Sequence, residues 1–284
     1  MRIGSTPGMD VSQPASLPSR LRRHWPEYLI EAAGLGLFML AVASLGTLLE
    51  FPGSPLNSLI PSAGARRALL GLGMGLTVVA VIYSPWGQRS GAHFNPSITL
   101  TYLRLGKVDP RDAIFYVLAQ FVGGAAGLGL AALFLGSALA HPSVNYLATV
   151  PGAWGSGAAF AAEVAITFVL MLMVLIASNS MRLERYTGLF AGALLASYIF
   201  LVAPISGMSL NPARSLASAL PAMLWENLWI YFTAPPLGML LAAQVYLWRA
   251  GSRGVFCAKL NHRGNRYCIF HCGYHELSRS KRRT

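Results

Sequence analysis

The sequence predicts an all-α membrane protein with six transmembrane helices and two short re-entrant half-helices arranged as an inverted repeat. Three observations predict this fold: the composition, six apolar blocks of span length, and a motif that occurs twice at fixed spacing. Of the 284 residues, 54% are hydrophobic and only 11% are charged, whereas soluble domains carry roughly 25% charged residues. The mean hydropathy is +0.50. So few charges cannot cover a large water-facing surface, which excludes a large soluble domain.

Six apolar blocks are long enough to cross a bilayer, because a span needs about 20 residues. They cover residues 28–49, 68–86, 113–140, 158–178, 186–205 and 228–248. The chain therefore divides into a polar lead (1–27), which we expect to be disordered and cytoplasmic, a membrane domain (28–248) and a basic tail (249–284). The membrane domain consists of two repeats, at about 28–140 and 158–248.

The basic residues predict the orientation. The chain has 22 Lys and Arg against 10 Asp and Glu, a net charge of +12. If both termini are cytoplasmic, 19 of the 22 lie inside, and only Arg66, Arg67 and Arg214 lie outside. This asymmetry follows the positive-inside rule and predicts a multi-pass protein of the plasma membrane, or of the inner membrane in a bacterium. Long apolar blocks separate the basic residues, so we expect no nucleic-acid partner.

Two connectors carry the repeated motif. Residues 90–101 (SGAHFNPSITLT) and 206–217 (SGMSLNPARSLA) are too apolar for solvated loops and too short to span, and their Asn-Pro pairs lie 116 residues apart. Proline fits the first turn of a helix and asparagine caps it, so each connector predicts a half-helix that starts inside the membrane. With three spans per repeat, the two copies are inverted. Their helix starts therefore face each other, each with roughly +0.5 of an elementary charge, and they repel cations while offering donors to a neutral solute at a central site.

These paired motifs resemble the aquaporin and glycerol-facilitator (major intrinsic protein) family over about residues 28–248. Two boxes carry the resemblance: Asn95-Pro96-Ser97, which has Ser where the family has Ala, and the intact Asn211-Pro212-Ala213, followed by Arg214. Four further positions match residues that support the half-helices in the family: Glu31, Glu163, Gln120 and His93. The resemblance implies an aquaporin-like fold, a homotetramer in a lipid bilayer, and a passive channel that is not an enzyme and needs no cofactor for transport.

The resemblance also implies a selectivity filter of four positions. They are Met74 (or its neighbour Gly75), Ile199, Met208 and Arg214. Water-selective members usually have His where Ile199 stands, and a Met/Ile wall is flexible and apolar, which favours small uncharged solutes besides water. Ser215, Ala219 and the Tyr231-Phe232 pair instead resemble the water-channel subgroup.

On these residues, we predict a channel that conducts water in single file and excludes protons and ions. The alternative is a facilitator of small neutral solutes such as glycerol, urea, ammonia or hydrogen peroxide. We expect Glu31 and Glu163 to accept N–H groups from the connectors. Their alternative role is a proton relay in a coupled transporter.

The tail contains all three cysteines of the chain. Cys257, His262, Cys268 and Cys272 form a C-x4-H-x5-C-x3-C pattern, and thiolates with imidazole suit tetrahedral Zn²⁺. A cytosolic location argues against a structural disulfide. The alternative is a basic tail that lies on lipid, with Phe256, Tyr267 and Phe270 at the interface. The tail thus predicts a second class of function, a metal-responsive or interaction module attached to the channel.

Overall fold

The computed structural model describes residues 17–251, 254–262 and 267–274. Within these ranges it has no strand and contains eleven α-helices. They are α1 (Leu17–Glu50), α2 (Pro55–Leu59), α3 (Ala63–Tyr83), α4 (Pro85–Ser90), α5 (Pro96–Arg104), α6 (Pro110–Leu135), α7 (Ser137–Ala140), α8 (Gly155–Ser178), α9 (Thr187–Ser206), α10 (Pro212–Ala222) and α11 (Leu228–Ala250). Two 3-10 turns lie between helices, at Asn145–Leu147 and Glu184–Tyr186.

Six of these helices, α1, α3, α6, α8, α9 and α11, are long and apolar enough to cross a membrane. The prediction of six spans and two intervening half-helices, α5 and α10, is confirmed. Two boundaries differ from the predicted ones for local reasons. Helix α3 ends at Tyr83 because the hydroxyl of Ser84 accepts a hydrogen bond from Gly87 N (2.9 Å) and so caps α4. Helix α6 ends at Leu135 because Gly136 turns the chain with a φ of +53°.

The lead is helical where we predicted disorder. The prediction covered residues 1–27; of these, 1–16 lie outside the described residues, and helix α1 already begins at Leu17. The expectation of a disordered segment is therefore wrong for residues 17–27.

The reason is a buried acid in α6. Asp112 accepts a hydrogen bond from the Tyr28 hydroxyl (2.6 Å) and contacts the His24 ring (2.9 Å) and the Arg20 guanidinium (3.6 Å). Arg20, His24 and Tyr28 lie four residues apart and therefore share one face of α1. Tertiary partners in α6 thus stabilise a segment whose own composition is that of a disordered lead.

The two repeats have equivalent helix packing and contact each other. Helix α1 packs along α6, and α8 packs in the same way along α11, while α3 and α9 join the two repeats. The half-helices α5 and α10 contact each other, and each also packs against both α6 and α11. The starts of α5 and α10 therefore meet in the middle of the bundle.

Small residues allow the closest helix contact. A Cβ atom added to Gly127 would lie 2.2 Å from the carbonyl oxygen of Gly36, and one added to Gly123 would lie 2.0 Å from that of Ala32. Glycines four residues apart let two membrane helices approach to backbone contact. This contact fixes α1 against α6, and with it the position of Glu31 relative to Gln120.

The bundle has two ends, and because six spans cross it, α1 begins at the same end at which α11 finishes. We call this end the tail side. It comprises the connectors at 84–95, 105–109 and 179–186 together with the described tail residues. The loops at 51–62, 136–154 and 223–227 form the opposite side.

Candidate functional site

Asn95 caps half-helix α5 at the centre of the bundle. Its Oδ1 accepts a hydrogen bond from Ser97 N (2.9 Å), and Pro96 occupies the first helical position. A backbone N–H at that position has no partner within the helix, so proline, which lacks one, loses no hydrogen bond there. The Nδ2 group of Asn95 donates to the carbonyl of Leu210 in the other connector (2.8 Å). The side chain therefore starts its own helix and also binds the opposite repeat.

Asn211 repeats this arrangement at the start of α10. Its Oδ1 accepts from Ala213 N (3.0 Å) and Arg214 N (3.2 Å), and its Nδ2 donates to the carbonyl of Phe94 (2.8 Å). An amide group has two N–H donors. Each of the two asparagines therefore uses one N–H to cross-link the connectors and keeps a second one, and both side chains line a common cavity.

The carboxylate of Glu31 is buried behind the first connector and is fully occupied. Its Oε1 accepts from the Ser90 hydroxyl (2.7 Å) and His93 N (3.1 Å). Its Oε2 accepts from Phe94 N (2.6 Å) and from the Gln120 side-chain amide (2.8 Å). Four donors on one carboxylate hold the descending backbone in place.

Glu163 occupies the equivalent position behind the second connector. It accepts hydrogen bonds from the Ser206 hydroxyl (2.7 Å), Ser209 N (2.8 Å) and Leu210 N (2.8 Å). Leu210 has a φ of +60°, and its counterpart Phe94 has a φ of +46°, a conformation that side chains other than glycine rarely adopt. The two carboxylates therefore stabilise connector backbone that would otherwise be unfavourable.

His93 links the first connector to the tail. Its Nδ1 lies 3.1 Å from the Thr99 hydroxyl, and its Nε2 lies 2.8 Å from the carbonyl of Ala258. Gln120 donates to the same Thr99 hydroxyl (3.1 Å). Because a carbonyl only accepts, Nε2 carries the ring proton. His93 thus contacts both the start of α5 and the tail.

A cavity of about 110 Å³ extends from the two asparagines towards the tail side. This volume holds several water molecules, each of which occupies about 30 Å³ in the liquid. Apolar side chains from α1, α3, α8 and α9 form most of its wall, and Asn95 and Asn211 supply side-chain amide donors. Leu260 of the tail lines it as well.

Two of the predicted filter residues lie one helical turn from residues that line the cavity. Val78 lines the cavity, and Met74, which is 0% exposed, lies four residues earlier on the same face of α3. Leu195 lines it from α9, and Ile199 lies four residues later on that helix face. Both residues therefore lie on the cavity-facing stripe of their helices.

Gly75, the alternative filter position in α3, faces helix α9 and not the cavity. A Cβ atom added there would lie 2.6 Å from the carbonyl oxygen of Gly192 in α9. Gly75 therefore lies in a helix contact, and of the two neighbours only Met74 lies on the stripe of Val78.

The other two predicted filter residues both lie in the second connector. Met208 is buried with a φ of +53°. Arg214, in the first turn of α10, is only 7% exposed, and its Nη1 has no hydrogen-bond partner within the part of the chain that the structure describes. A buried donor without a partner costs free energy, so Arg214 holds an N–H that a polar solute can satisfy.

The four predicted metal ligands of the tail lie together. The ligand atoms of Cys257, His262, Cys268 and Cys272 all lie within 4.8 Å of one another. Cys257 Sγ is 3.5 Å from Cys268 Sγ, and His262 Nε2 is 3.1 Å from Cys272 Sγ.

Phe270 contradicts the alternative of a tail spread on lipid. Its ring is 6% exposed and stacks on His93, with the ring centroids 5.5 Å apart. Lys259 is also buried; its ammonium donates to the carbonyl of Tyr267 (2.5 Å), and burial lowers its pKa. The described tail residues therefore pack against the tail-side end of the bundle and not along its lipid-facing sides.

Two features were not among the predicted site residues. Leu260 reaches the cavity from the tail, and no signal in the sequence marks this one leucine among many. The contacts of Asp112 had a signal, because Arg20, His24 and Tyr28 repeat every four residues just before an apolar block. That spacing places three polar side chains on one helix face, but it does not identify the residue that they contact.

Comparisons with known proteins agree with this geometry. A family model described as Major intrinsic protein matches residues 21–246. A protein of Nicotiana alata named "Probable aquaporin NIP-type" is 34% identical over 173 residues, 61% of this chain and 62% of that protein, so the chain covers less than two thirds of that relative. A protein of Lactiplantibacillus plantarum named "Glycerol uptake facilitator protein-like 6" is 33% identical over 230 residues, 76% of this chain and 94% of that protein.

A solved structure shares the fold. The aquaglyceroporin from Plasmodium falciparum superposes with a TM-score of 0.66 at 20% identity and covers 78% of this chain and 95% of its own. The family model covers residues 28–246 of the membrane domain, including both Asn-Pro motifs. The six apolar helices indicate a multi-pass membrane protein. The chain therefore belongs to the major intrinsic protein family, whose members are transporters and not enzymes.

Proposed function

We propose that this channel conducts water passively in single file and excludes protons and ions. The observation that carries this proposal is the pair of asparagines at the facing starts of α5 and α10. Each has its Oδ1 bound to its own helix and one N–H bound to the opposite connector. The remaining N–H of each is then available to the oxygen of a passing water molecule.

Proton exclusion follows from the same arrangement. A water molecule that accepts from both Asn95 and Asn211 directs its own hydrogens away from the midplane on both sides, which interrupts a chain of hydrogen-bonded water. Two helix starts, each with roughly +0.5 of an elementary charge, add an electrostatic barrier to cations. The Arg214 guanidinium adds a full positive charge to this barrier.

The proposed filter consists of Met74, Ile199, Met208 and Arg214. In a narrow pore the apolar side chains determine the diameter, and the charged and carbonyl groups supply hydrogen bonds. The long apolar side chains of Met74 and Met208 would narrow the passage at this level. The buried Arg214 Nη1, which has no partner among the described residues, supports a role in binding the solute.

The second candidate function is passage of small neutral solutes such as glycerol or urea. The absence of a histidine at Ile199 favours it, because one polar partner for water is replaced by a flexible apolar wall. The name of the Lactiplantibacillus plantarum relative points in the same direction.

Proteoliposomes in a stopped-flow light-scattering instrument distinguish the two functions. Vesicles that contain a water channel lose water and shrink rapidly in a glycerol or urea gradient, and they do not re-swell quickly, because the solute cannot follow. Fast re-swelling identifies the solute as a second substrate. If vesicles that contain protein free of bound metal shrink no faster than empty vesicles and show no fast re-swelling, both proposed functions are contradicted.

We further propose a homotetramer in the plasma membrane, or the inner membrane of a bacterium, with both termini in the cytoplasm. The excess of Lys and Arg in the tail-side segments supports this orientation. The tetramer rests on membership of the family. Cysteine accessibility in intact cells tests the orientation, because all three cysteines lie in the tail.

We also propose that transport itself needs no cofactor and that the Cys/His cluster of the tail binds one Zn²⁺. Three thiols and one imidazole are a common ligand set for structural zinc. Metal analysis of the purified full-length protein tests this proposal directly.

A further inference from the structure

The tail folds back over the tail side of the channel. Its backbone donates hydrogen bonds to three separate connectors: Phe256 N to Asn179 Oδ1 (2.6 Å), Leu260 N to Gly91 O (3.1 Å) and His271 N to Lys107 O (3.0 Å). A segment that hung free in solvent would make none of these contacts. The described tail residues therefore cover the mouth that the three connectors surround.

One loop of the tail reaches the solute pathway. We call residues 257–262 the plug loop. Leu260, in this loop, is 3% exposed and lines the same cavity as Asn95 and Asn211. The carbonyl of Ala258 accepts from His93, which also lines the cavity. A leucine side chain offers a passing solute no hydrogen bond, and an apolar constriction closes a pore by excluding water.

The Cys/His cluster encloses this loop. Cys257 and His262 are its first and last residues, and Cys268 and Cys272 come from the second tail segment. Around a tetrahedral Zn²⁺, with Zn–S of about 2.3 Å and Zn–N of about 2.0–2.1 Å, sulfur atoms lie about 3.8 Å apart and nitrogen lies about 3.6 Å from sulfur.

The observed spacings fit zinc better than a disulfide. The Cys257–Cys268 and His262–Cys272 ligand atoms are 3.5 Å and 3.1 Å apart. A disulfide would need a sulfur–sulfur distance of about 2.05 Å. The atoms of these two pairs therefore need to move apart by only a few tenths of an ångström to coordinate a metal ion.

A metal ion bound at this cluster would hold both ends of the plug loop, Cys257 and His262. The described tail residues are mostly irregular, and short segments of this kind often depend on a metal ion for their fold. Leu260 is three residues from Cys257 and two from His262. Because the loop is short and both of its ends would be held, the Leu260 side chain would have little freedom to move out of the tail-side mouth.

We infer that Zn²⁺ bound by Cys257, His262, Cys268 and Cys272 fixes the plug loop with Leu260 in the tail-side mouth, and that loss of zinc opens the channel. The inference rests on the proposed function, because a gate requires a pathway. It makes the channel responsive to the metal content of the compartment that the tail faces.

The test uses the full-length protein in proteoliposomes. Zinc per chain is measured by elemental analysis, and water permeability by stopped flow, before and after treatment with a zinc chelator. We expect one zinc ion per chain. We expect water permeability to rise about tenfold or more when the zinc is removed, as a two-state gate biased by a ligand predicts.

Three variants separate the metal site from the plug. Cys272→Ser is expected to bind no zinc and to conduct with or without added metal. Leu260→Ala keeps all four ligands, and so is expected to retain zinc and still conduct. His141→Ala, which removes an imidazole from the loop at 136–154 on the opposite side, outside the cluster and away from the tail, is the matched control and is expected to retain both zinc and closure.

Several results would overturn the inference. Equal permeability of the zinc-loaded, zinc-free and Leu260→Ala proteins refutes the gate, and if these forms all conduct water, the proposed function stands. Protein that takes up no zinc, with Cys257 and Cys268 joined in a disulfide, refutes the metal site. If the zinc-free and Leu260→Ala proteins pass neither water nor glycerol, the channel function fails and the gate fails with it.

Discussion

Replacing Glu163 with glutamine is the most informative single change in the channel interior. The carboxylate accepts from the Ser206 hydroxyl and Ser209 N on one oxygen and from Leu210 N on the other. Glutamine is nearly the same size, so the packing is retained. Its oxygen can keep the first two partners, but its NH₂ group then faces the N–H of Leu210, and two donors confront each other.

The cost can be worked out from these contacts. A hydrogen bond to a charged group contributes about 1.5–3 kcal/mol, and a buried donor left unpaired costs about 1–3 kcal/mol, so the loss is about 2.5–6 kcal/mol. In a chain of this size, 1 kcal/mol shifts the unfolding midpoint by about 2–4 °C, which predicts a decrease of about 5–24 °C.

The assay is thermal unfolding of the purified protein in detergent, followed by tryptophan fluorescence. Glu31→Gln should lose at least as much stability, because that carboxylate accepts four hydrogen bonds. Glu226→Gln makes the same chemical change at an exposed position and should leave the midpoint unchanged within about 1 °C, as surface substitutions usually do.

Two results would refute this reasoning. If Glu163→Gln unfolded at the wild-type temperature, the carboxylate would not hold the second connector. Proton-coupled solute uptake by the unmodified protein would instead assign Glu163 to a proton relay, the alternative role of a carboxylate inside a membrane.

Three further predictions concern packing, the filter and cysteine chemistry. Gly127→Ala places a Cβ 2.2 Å from the carbonyl oxygen of Gly36 and should destabilise the protein by about 1–3 kcal/mol in the same unfolding assay; Gly129→Ala, which meets nothing within 4 Å, should not. Met208→Ala shortens a filter side chain and should raise glycerol permeability about tenfold or more in stopped flow; an unchanged rate would remove Met208 from the filter. Mercurials should not block the filter, because every cysteine lies in the tail; block that persists after all three are replaced by serine would contradict the proposed pore lining.

Much of the membrane domain could be predicted because its determinants are local or repeated. Span length, the position of prolines and the capping asparagines are properties of short segments. The 116-residue offset between Asn95 and Asn211 identifies the inverted repeat from the sequence alone. Glu31 and Glu163 then followed as counterparts, and both lie behind their connectors in the structure.

The start of α1 could not be predicted in this way, because its determinant is distant in the sequence. Residues 17–27 have the composition of a disordered segment, and the partner that orders them, Asp112, lies 88 residues from His24. Only the packing of α1 along α6 brings the two together. Composition reports on a segment alone and carries no information on such partners.

The tail shows the same limit. Its ligand pattern is visible in the sequence, and the four side chains do converge. That Leu260 lies beside the cavity depends on hydrogen bonds to Gly91 and on His93, about 165 residues earlier. No periodicity within the tail encodes these contacts, so the sequence predicts the cluster but not the surface it covers.

The central claim is that the two facing asparagines form a passage for water that stops protons. Simultaneous stopped-flow measurement of water efflux and of internal pH in proteoliposomes of zinc-free protein tests it most directly. We expect water efflux well above that of empty vesicles, with no increase in proton leak under a pH gradient. Water efflux equal to that of empty vesicles, or a proton flux that rises together with the water flux, would contradict it.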